Sequence, residues 1–74
     1  MTLAQRLAAN LRARRGDRTQ EEFARRLGIS RPTLNRLEAA AQNTTLKTLE
    51  QISRALRCPV GELFEEWDNR RQGR

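Results

Sequence analysis

Apolar residues recur every three or four positions along most of the 74-residue chain, which is the pattern of amphipathic helices. We predict a compact all-α fold of five helices joined by short connections. The predicted helices span residues 2–15, 20–27, 30–39, 46–57 and 60–67. Their apolar stripes include Leu3, Leu7 and Leu11 in the first, Leu46, Leu49, Ile52 and Leu56 in the fourth, and Val60, Leu63, Phe64 and Trp67 in the fifth.

Residues 20–37 contain two of these helices, joined by a tight glycine turn. Ala24 lies where the two helices cross most closely, Gly28 supplies the left-handed residue that ends the first, and Ser30 caps the second. The other helix starts have capping threonines at Thr2, Thr19 and Thr45. This spacing predicts a helix-turn-helix, a motif that places its second helix in the major groove of DNA.

The chain carries fifteen Lys and Arg against nine Asp and Glu, a net charge of +6. The excess is segregated, since residues 1–57 carry a net charge of +7 and residues 58–74 carry −1. A basic surface suits a polyanion, because neutralised phosphates release condensed counterions. The basic part coincides with the helix-turn-helix, and this coincidence favours double-stranded DNA as the partner.

Several classes of chemistry lack the residues that they need. The chain has no histidine and a single cysteine, Cys58, so it offers no disulfide, zinc cluster or thiol–histidine pair. We expect Cys58 to be a small buried hydrophobe. No apolar run is long enough for a membrane span or a secretory signal. We therefore expect a cytoplasmic protein that is not an enzyme and that uses no metal or cofactor.

The helix-turn-helix and its flanking helices together resemble the lambda-repressor/Cro-like (XRE) family of DNA-binding domains over residues 3–66. The resemblance is carried by residues 19–24, 27–30, 34–38, 46–49, 52–56 and 62–63. We expect one such domain over residues 1–67. Residues 68–74 have nothing to bury, so we expect them to form a frayed tail.

The resemblance implies a set of DNA contacts and one structural pair. The residues that match base-facing positions are Arg31, Pro32, Thr33 and Arg36. The residues that match phosphate-contacting positions are Gln20, Ser30, Asn43, Thr44, Thr45 and Lys47. Gln20 also matches the glutamine that braces the recognition helix. Arg12 and Glu38 match a buried salt bridge between the first and third helices.

The chain departs from the family pattern in its connections. Ala40 stands where glycine is usual, so either the third helix runs on through residues 39–41 or Ala40 adopts a strained conformation. Thr44 replaces a usual proline, and Arg18 replaces a residue that is commonly apolar. These departures affect the loops rather than the fold.

Helical geometry exposes the same side of the third helix that the resemblance implies for contact with DNA. When its two leucines point inward, Pro32 and Arg36 lie nearly opposite them, and Arg31 projects from the N-terminal end. Arg31 and Arg36 are candidates for specificity, because arginine pairs with guanine O6 and N7 through two parallel bonds. Asn35 lies on the shoulder of the helix, where we expect a phosphate contact. The alternative is that both arginines are solvated or touch only phosphate.

We expect a homodimer, because so small a monomer reads few base pairs and a two-fold dimer reads two half-sites. Val60, Phe64 and Trp67 are the candidate interface, since Trp67 continues the apolar stripe beyond the core. The alternative is that Trp67 folds over its own core.

The function that we predict is sequence-specific transcriptional regulation, by a dimeric repressor that reads a palindromic operator. A DNA-binding antitoxin and a restriction-modification controller are alternatives within the same class. An alternative of another class is a protein-interaction module that uses the same helices, although arginines at the groove-facing positions argue against it.

Overall fold

The computed structural model of the protein describes residues 1–41 and 44–67, and within these ranges all regular structure is helical. Four α-helices span Leu3–Arg15 (α1), Gln20–Leu27 (α2), Arg31–Glu38 (α3) and Leu46–Leu56 (α4). A 3-10 helix, Val60–Phe64, follows α4. The predicted all-α class is confirmed for this part of the chain, and the first four predicted helices agree with the structure to within one residue at each end.

Each α-helix begins with a side-chain cap that the sequence predicts. The hydroxyls of Thr2, Thr19, Ser30 and Thr45 accept hydrogen bonds from the backbone N–H three residues further on. At α1 and α2 the cap is reciprocal, since Gln5 and Glu22 accept from the backbone N–H of the capping residue. Such caps contribute about 1 kcal/mol each, so the helix starts are set locally.

Three of the α-helices end in the same motif, which is built on a left-handed residue. That residue is Gly28 after α2 (φ 75°), Ala40 after α3 (φ 61°) and Arg57 after α4 (φ 55°). In each case this residue and the next donate backbone hydrogen bonds to the last turn of the helix. Of the two alternatives for Ala40, the structure shows the strained conformation. A φ of 61° is strained for alanine because its Cβ adds a clash that glycine, which has no Cβ, avoids.

The core is formed by the inward stripes of the four α-helices together with the 3-10 helix. Its buried members are Leu7, Leu11, Phe23, Ala24, Leu27, Leu34, Leu37, Leu49, Ile52 and Leu63. Ala24 is 2 % exposed, as expected for a close helix crossing. Leu3 and Leu46, which we expected in the apolar stripes, are 66 % and 83 % exposed. Each is the first residue of its helix and lies beyond the edge of the core.

The prediction of a fifth α-helix is wrong. Residues Val60–Phe64 form a 3-10 helix, and Glu65 is extended (φ −95°, ψ 163°). The reason lies in α1, where the buried Asn10 donates from Nδ2 to the carbonyls of Glu62 (3.0 Å) and Glu65 (2.6 Å). In an α-helix the carbonyl of Glu62 accepts from the backbone N–H four residues on, whereas here it accepts from the backbone N–H of Glu65, as in a 3-10 turn, and also from Asn10. Asn10 therefore favours the 3-10 turn and the extended Glu65, whose carbonyls it bonds together, and it ties residues 62–65 to α1.

Two further expectations are limited by the extent of the structure. Across residues 1–41 and 44–67, each helix is too short or too polar to cross a bilayer. The frayed tail predicted at residues 68–74 and the phosphate contact predicted at Asn43 lie outside the described residues.

Replacing Ala40 with glycine is expected to stabilise the fold by about 1 kcal/mol, because the change removes the Cβ clash at a positive φ. Ala39→Gly is the matched control. Ala39 has φ −91°, so the same replacement there only adds freedom to the unfolded chain and lowers stability. Urea unfolding followed by circular dichroism measures both variants. Equal shifts for the two would contradict the strain assigned to Ala40.

Candidate nucleic-acid interface

Helix α3 has one buried side and one exposed side. Leu34 and Leu37 are buried and fix the rotation of the helix about its axis. Its exposed residues are Arg31, Pro32, Asn35 and Arg36, and Thr33 is half-buried. Among the described residues, neither Arg31 nor Arg36 belongs to an ion pair. Both guanidinium groups are therefore available to an external acceptor.

The N-terminal turn of α3 is ordered by Ser30. Its Oγ accepts from the backbone N–H of Thr33 (3.2 Å) and donates to Oγ1 of Thr33 (2.8 Å). The remaining backbone N–H groups of this turn carry the positive end of the helix dipole. The structure thus brings Ser30 and Thr33 together at the end of α3 from which Arg31 projects. Their contacts with DNA stay a prediction.

The turn between α2 and α3 is held from α4. Gln51 donates from Nε2 to the carbonyl of Gly28. A Cβ on Gly28 would lie 2.8 Å from that nitrogen, but the exposed end of the Gln51 side chain can move aside, so the glycine is required for its φ of 75°. Gln51 was missed in the sequence, because an exposed glutamine on a helix carries no signature of a distant partner.

The carboxylate of Glu38 joins α1, α2 and α3. Glu38 is 5 % exposed; Arg15 donates from Nε to Oε2 (2.9 Å), and Gln20 donates from Nε2 to Oε1 (3.0 Å). Arg12 donates instead to the backbone carbonyl of Glu38. The prediction that Arg12 forms the salt bridge with the carboxylate of Glu38 is therefore wrong, because Arg15 forms it instead. Arg12 and Arg15 are three residues apart on one side of α1, so spacing alone does not decide which of them meets the carboxylate.

Gln20 lies between this buried network and the exposed side of α3. Its Nε2 is 3.4 Å from Oδ1 of Asn35, in addition to the bond with Glu38. Both amide hydrogens are thus directed to acceptors on α3, and the one shared with Asn35 is weak at that distance. The structure therefore shows Gln20 in contact with α3, whereas its contact with a phosphate stays a prediction.

The start of α4 carries the other predicted phosphate contacts. Thr44, Thr45 and Lys47 are exposed there. Oγ1 of Thr45 accepts from the backbone N–H of Thr48 (3.1 Å), so this hydroxyl caps the helix. The structure gives these three residues the exposure that DNA contacts require, and their binding stays a prediction.

Two side chains have shifted pKa values, and their causes are structural. The backbone N–H and the hydroxyl of Thr19 donate to Glu22 and lower the pKa of its carboxyl group. Burial raises the pKa of the Cys58 thiol, so it stays protonated at neutral pH and is a poor nucleophile. In residues 1–41 and 44–67, no three His, Cys, Asp or Glu side chains lie together as metal ligands do.

The three residues predicted for a dimer interface do not form one exposed patch. Val60 is 39 % exposed, whereas Phe64 is half-buried against the core. Trp67 is half-buried beneath Arg14, whose guanidinium carbon lies 3.8 Å from the centroid of the indole ring. Trp67 therefore contacts Arg14 and is not among the residues that pack against the core, and its place in a dimer interface stays a prediction.

Comparison with known proteins bears on the two-helix unit described above. A family model described as helix-turn-helix matches residues 9–63, a range that contains α2 and α3. The chain belongs to the helix-turn-helix family. The family membership predicted from the sequence is therefore confirmed.

Individual relatives extend this comparison. An uncharacterised helix-turn-helix-type transcriptional regulator of Archaeoglobus fulgidus is 35 % identical over 57 residues, which cover 70 % of this chain and 80 % of that protein. Plasmid copy control protein CopR of Streptococcus agalactiae is 40 % identical over 43 residues, which cover 58 % of this chain and 47 % of CopR. This helix-turn-helix protein thus spans about half the length of CopR.

A solved structure is similar over nearly the whole chain. The crystal structure of a hypothetical transcription factor, NHTF, from Neisseria covers 99 % of this helix-turn-helix protein and is itself covered over 86 % of its chain. The TM-score is 0.74 and the sequence identity is 28 %. The likeness therefore extends beyond the two-helix unit to the flanking helices.

The Glu38 network predicts a specific energetic coupling. Arg15→Met and Glu38→Gln are expected to interact by about 1 kcal/mol or more in a double-mutant cycle, because they remove the two ends of one buried pair. Arg12→Met is the matched control. It should be nearly additive with Glu38→Gln, since the carbonyl that Arg12 binds is untouched by that substitution. Urea unfolding measures both cycles, and a larger coupling for Arg12 would restore the pairing expected from the sequence.

Proposed function

We propose that this helix-turn-helix protein, a DNA-binding transcriptional regulator, acts as a dimeric repressor that reads a palindromic operator through α3. The observation that carries the proposal is the exposed side of α3, where Arg31 and Arg36 project from a helix whose other side is packed into the core. Two parallel bonds from a guanidinium to guanine O6 and N7 discriminate between bases. In this role the protein acts in the cytoplasm on double-stranded DNA and catalyses no reaction.

Phosphate contacts set the position of α3 on the duplex in this proposal. The proposed contacts are Gln20, Ser30, Asn35, Asn43, Thr44, Thr45 and Lys47. Gln20 exchanges its 3.4 Å contact with Asn35 for a phosphate oxygen, while its 3.0 Å bond to Glu38 is kept. The DNA backbone is then linked through Gln20 to the buried network between α1 and α3. This link couples the position of the helix to the phosphate that it meets.

A protein-interaction module that uses the same helices has less support. The exposed side of α3 carries two arginines, and the acidic residue of the helix, Glu38, is buried. Such a surface attracts any strongly acidic partner, but the helix-turn-helix geometry fits a DNA groove. A DNA-binding antitoxin and a restriction-modification controller use the same DNA-binding chemistry, so they are variants of the proposal.

Selection of bound sites from a random DNA pool tests the proposal. We expect a palindromic consensus whose half-sites are about 34–36 Å apart, the spacing of one helical turn. We also expect affinity to fall steeply with salt, because binding releases counterions. Failure to enrich any sequence at low salt would overturn the proposal.

Alanine substitutions at Arg31 and at Gln20 are expected to impair DNA binding in different ways. Arg31→Ala lowers the preference for the selected site over random DNA by about 1–3 kcal/mol, whereas Gln20→Ala weakens binding to both alike. Arg31→Lys is the matched control, since it keeps the charge and loses the two-bond fork. Its affinity for random DNA should recover, and its preference should not.

Fluorescence anisotropy titrations of the selected and random duplexes provide the measurement for both substitutions. An equal loss on the two duplexes for Arg31→Ala, or a recovered preference for Arg31→Lys, would contradict the base contact.

A further inference from the structure

A groove of about 450 Å³ runs between α1 and the residues that end and follow the 3-10 helix. Its apolar lining consists of Met1, of Ala9 and Ala13 from α1, and of Phe64 and Trp67 from the facing segment. Its charged lining consists of Arg6 from α1 and of Glu65 and Glu66 from the facing segment. We refer to this surface, from Arg6 to Ala13 on one side and from Phe64 to Trp67 on the other, as the α1 groove.

The charges of the α1 groove have opposite signs on its two sides. Helix α1 contains no acidic residue, and residues 64–67 contain no basic one. Within the part of the chain that the structure describes, neither Arg6 nor Glu65 nor Glu66 belongs to an ion pair. A surface of this kind is complementary to itself. A two-fold axis places the basic side of each copy opposite the acidic side of the other.

We propose that the α1 groove is the dimer interface and that its occupant is a second copy of this chain. The inference deepens the dimeric repressor proposed above and rests on that proposal. DNA is excluded as the occupant, because two exposed carboxylates repel phosphate. A second copy supplies both an apolar lining and the two opposite charges. Of the residues predicted for the interface, the groove retains Phe64 and Trp67 and omits Val60.

A second copy in the α1 groove leaves α3 open to DNA. Successive residues of an α-helix are rotated by about 100°, so Arg6, Ala9 and Ala13 are centred about 120° around α1 from Arg12 and Arg15. Arg12 and Arg15 are the residues of α1 that bond Glu38 of α3. The second copy therefore approaches α1 from the side away from α3.

Sedimentation equilibrium of the full chain tests the inference, and the wild-type chain is expected to form a concentration-dependent dimer. Arg6→Glu alone, and Glu65→Lys combined with Glu66→Lys, should each weaken association by about tenfold or more, because like charges then meet in both halves of the interface. An equimolar mixture of the two variants should form a heterodimer, since opposite charges meet again in both halves. Arg26→Glu, an exposed change on α2, is the matched control and should have no effect.

A wild-type chain that stays monomeric, or a dimer indifferent to both charge reversals, overturns the inference. Recovery in the mixture shows that each variant is folded, and circular dichroism checks this independently. DNA titration separates the two proposals. A monomer that binds the selected site retains the DNA-reading function and refutes the α1 groove, whereas a charge-sensitive dimer that binds no DNA supports the groove and refutes the regulator.

Discussion

The buried carboxylate of Glu38 is the constraint on which the proposed DNA-reading surface of α3 depends. A charge with 5 % exposure is costly unless it is both paired and hydrogen-bonded. Glu38 meets this requirement with Arg15 from α1 and Gln20 from α2. An arrangement that moves α1 or α2 out of reach while Glu38 stays buried leaves this charge without one of its partners. We infer that this network, together with the apolar core, selects the orientation in which α3 presents its arginines.

The features that could be predicted from the sequence are those that depend on residues within a turn of each other. A threonine or serine hydroxyl that caps a helix bonds a backbone N–H three residues away, so the four helix starts follow from local sequence. The exposed side of α3 follows equally directly, because Leu34 and Leu37 fix its rotation. Ala40 marks the limit of this reasoning. The motif that ends α3 forms without glycine, because backbone hydrogen bonds from Ala40 and Ala41 to the last turn of the helix hold Ala40 in its strained conformation.

The features that could not be predicted are polar contacts between residues distant in the chain. Asn10 bonds carbonyls 52 and 55 residues away, and these bonds favour a 3-10 turn and an extended Glu65 where the apolar spacing of residues 60–67 favours an α-helix. Arg15 and Gln51 likewise reach partners on other helices. Asparagine, arginine and glutamine side chains can each form hydrogen bonds with many kinds of partner. The sequence therefore does not identify which distant residue such a side chain contacts.

The contacts of Asn10 also affect where the acidic residues near the end of the chain lie in the fold. These contacts hold the segment that contains Glu62, Glu65 and Glu66 against α1. There Oε2 of Glu62 lies 3.5 Å from a guanidinium nitrogen of Arg14. The carboxylate of Glu62 is therefore paired with α1, whereas among the described residues Arg31 and Arg36 of α3 belong to no ion pair. A buried asparagine far from α3 thus helps to hold this acidic segment on α1, apart from the exposed arginines of α3.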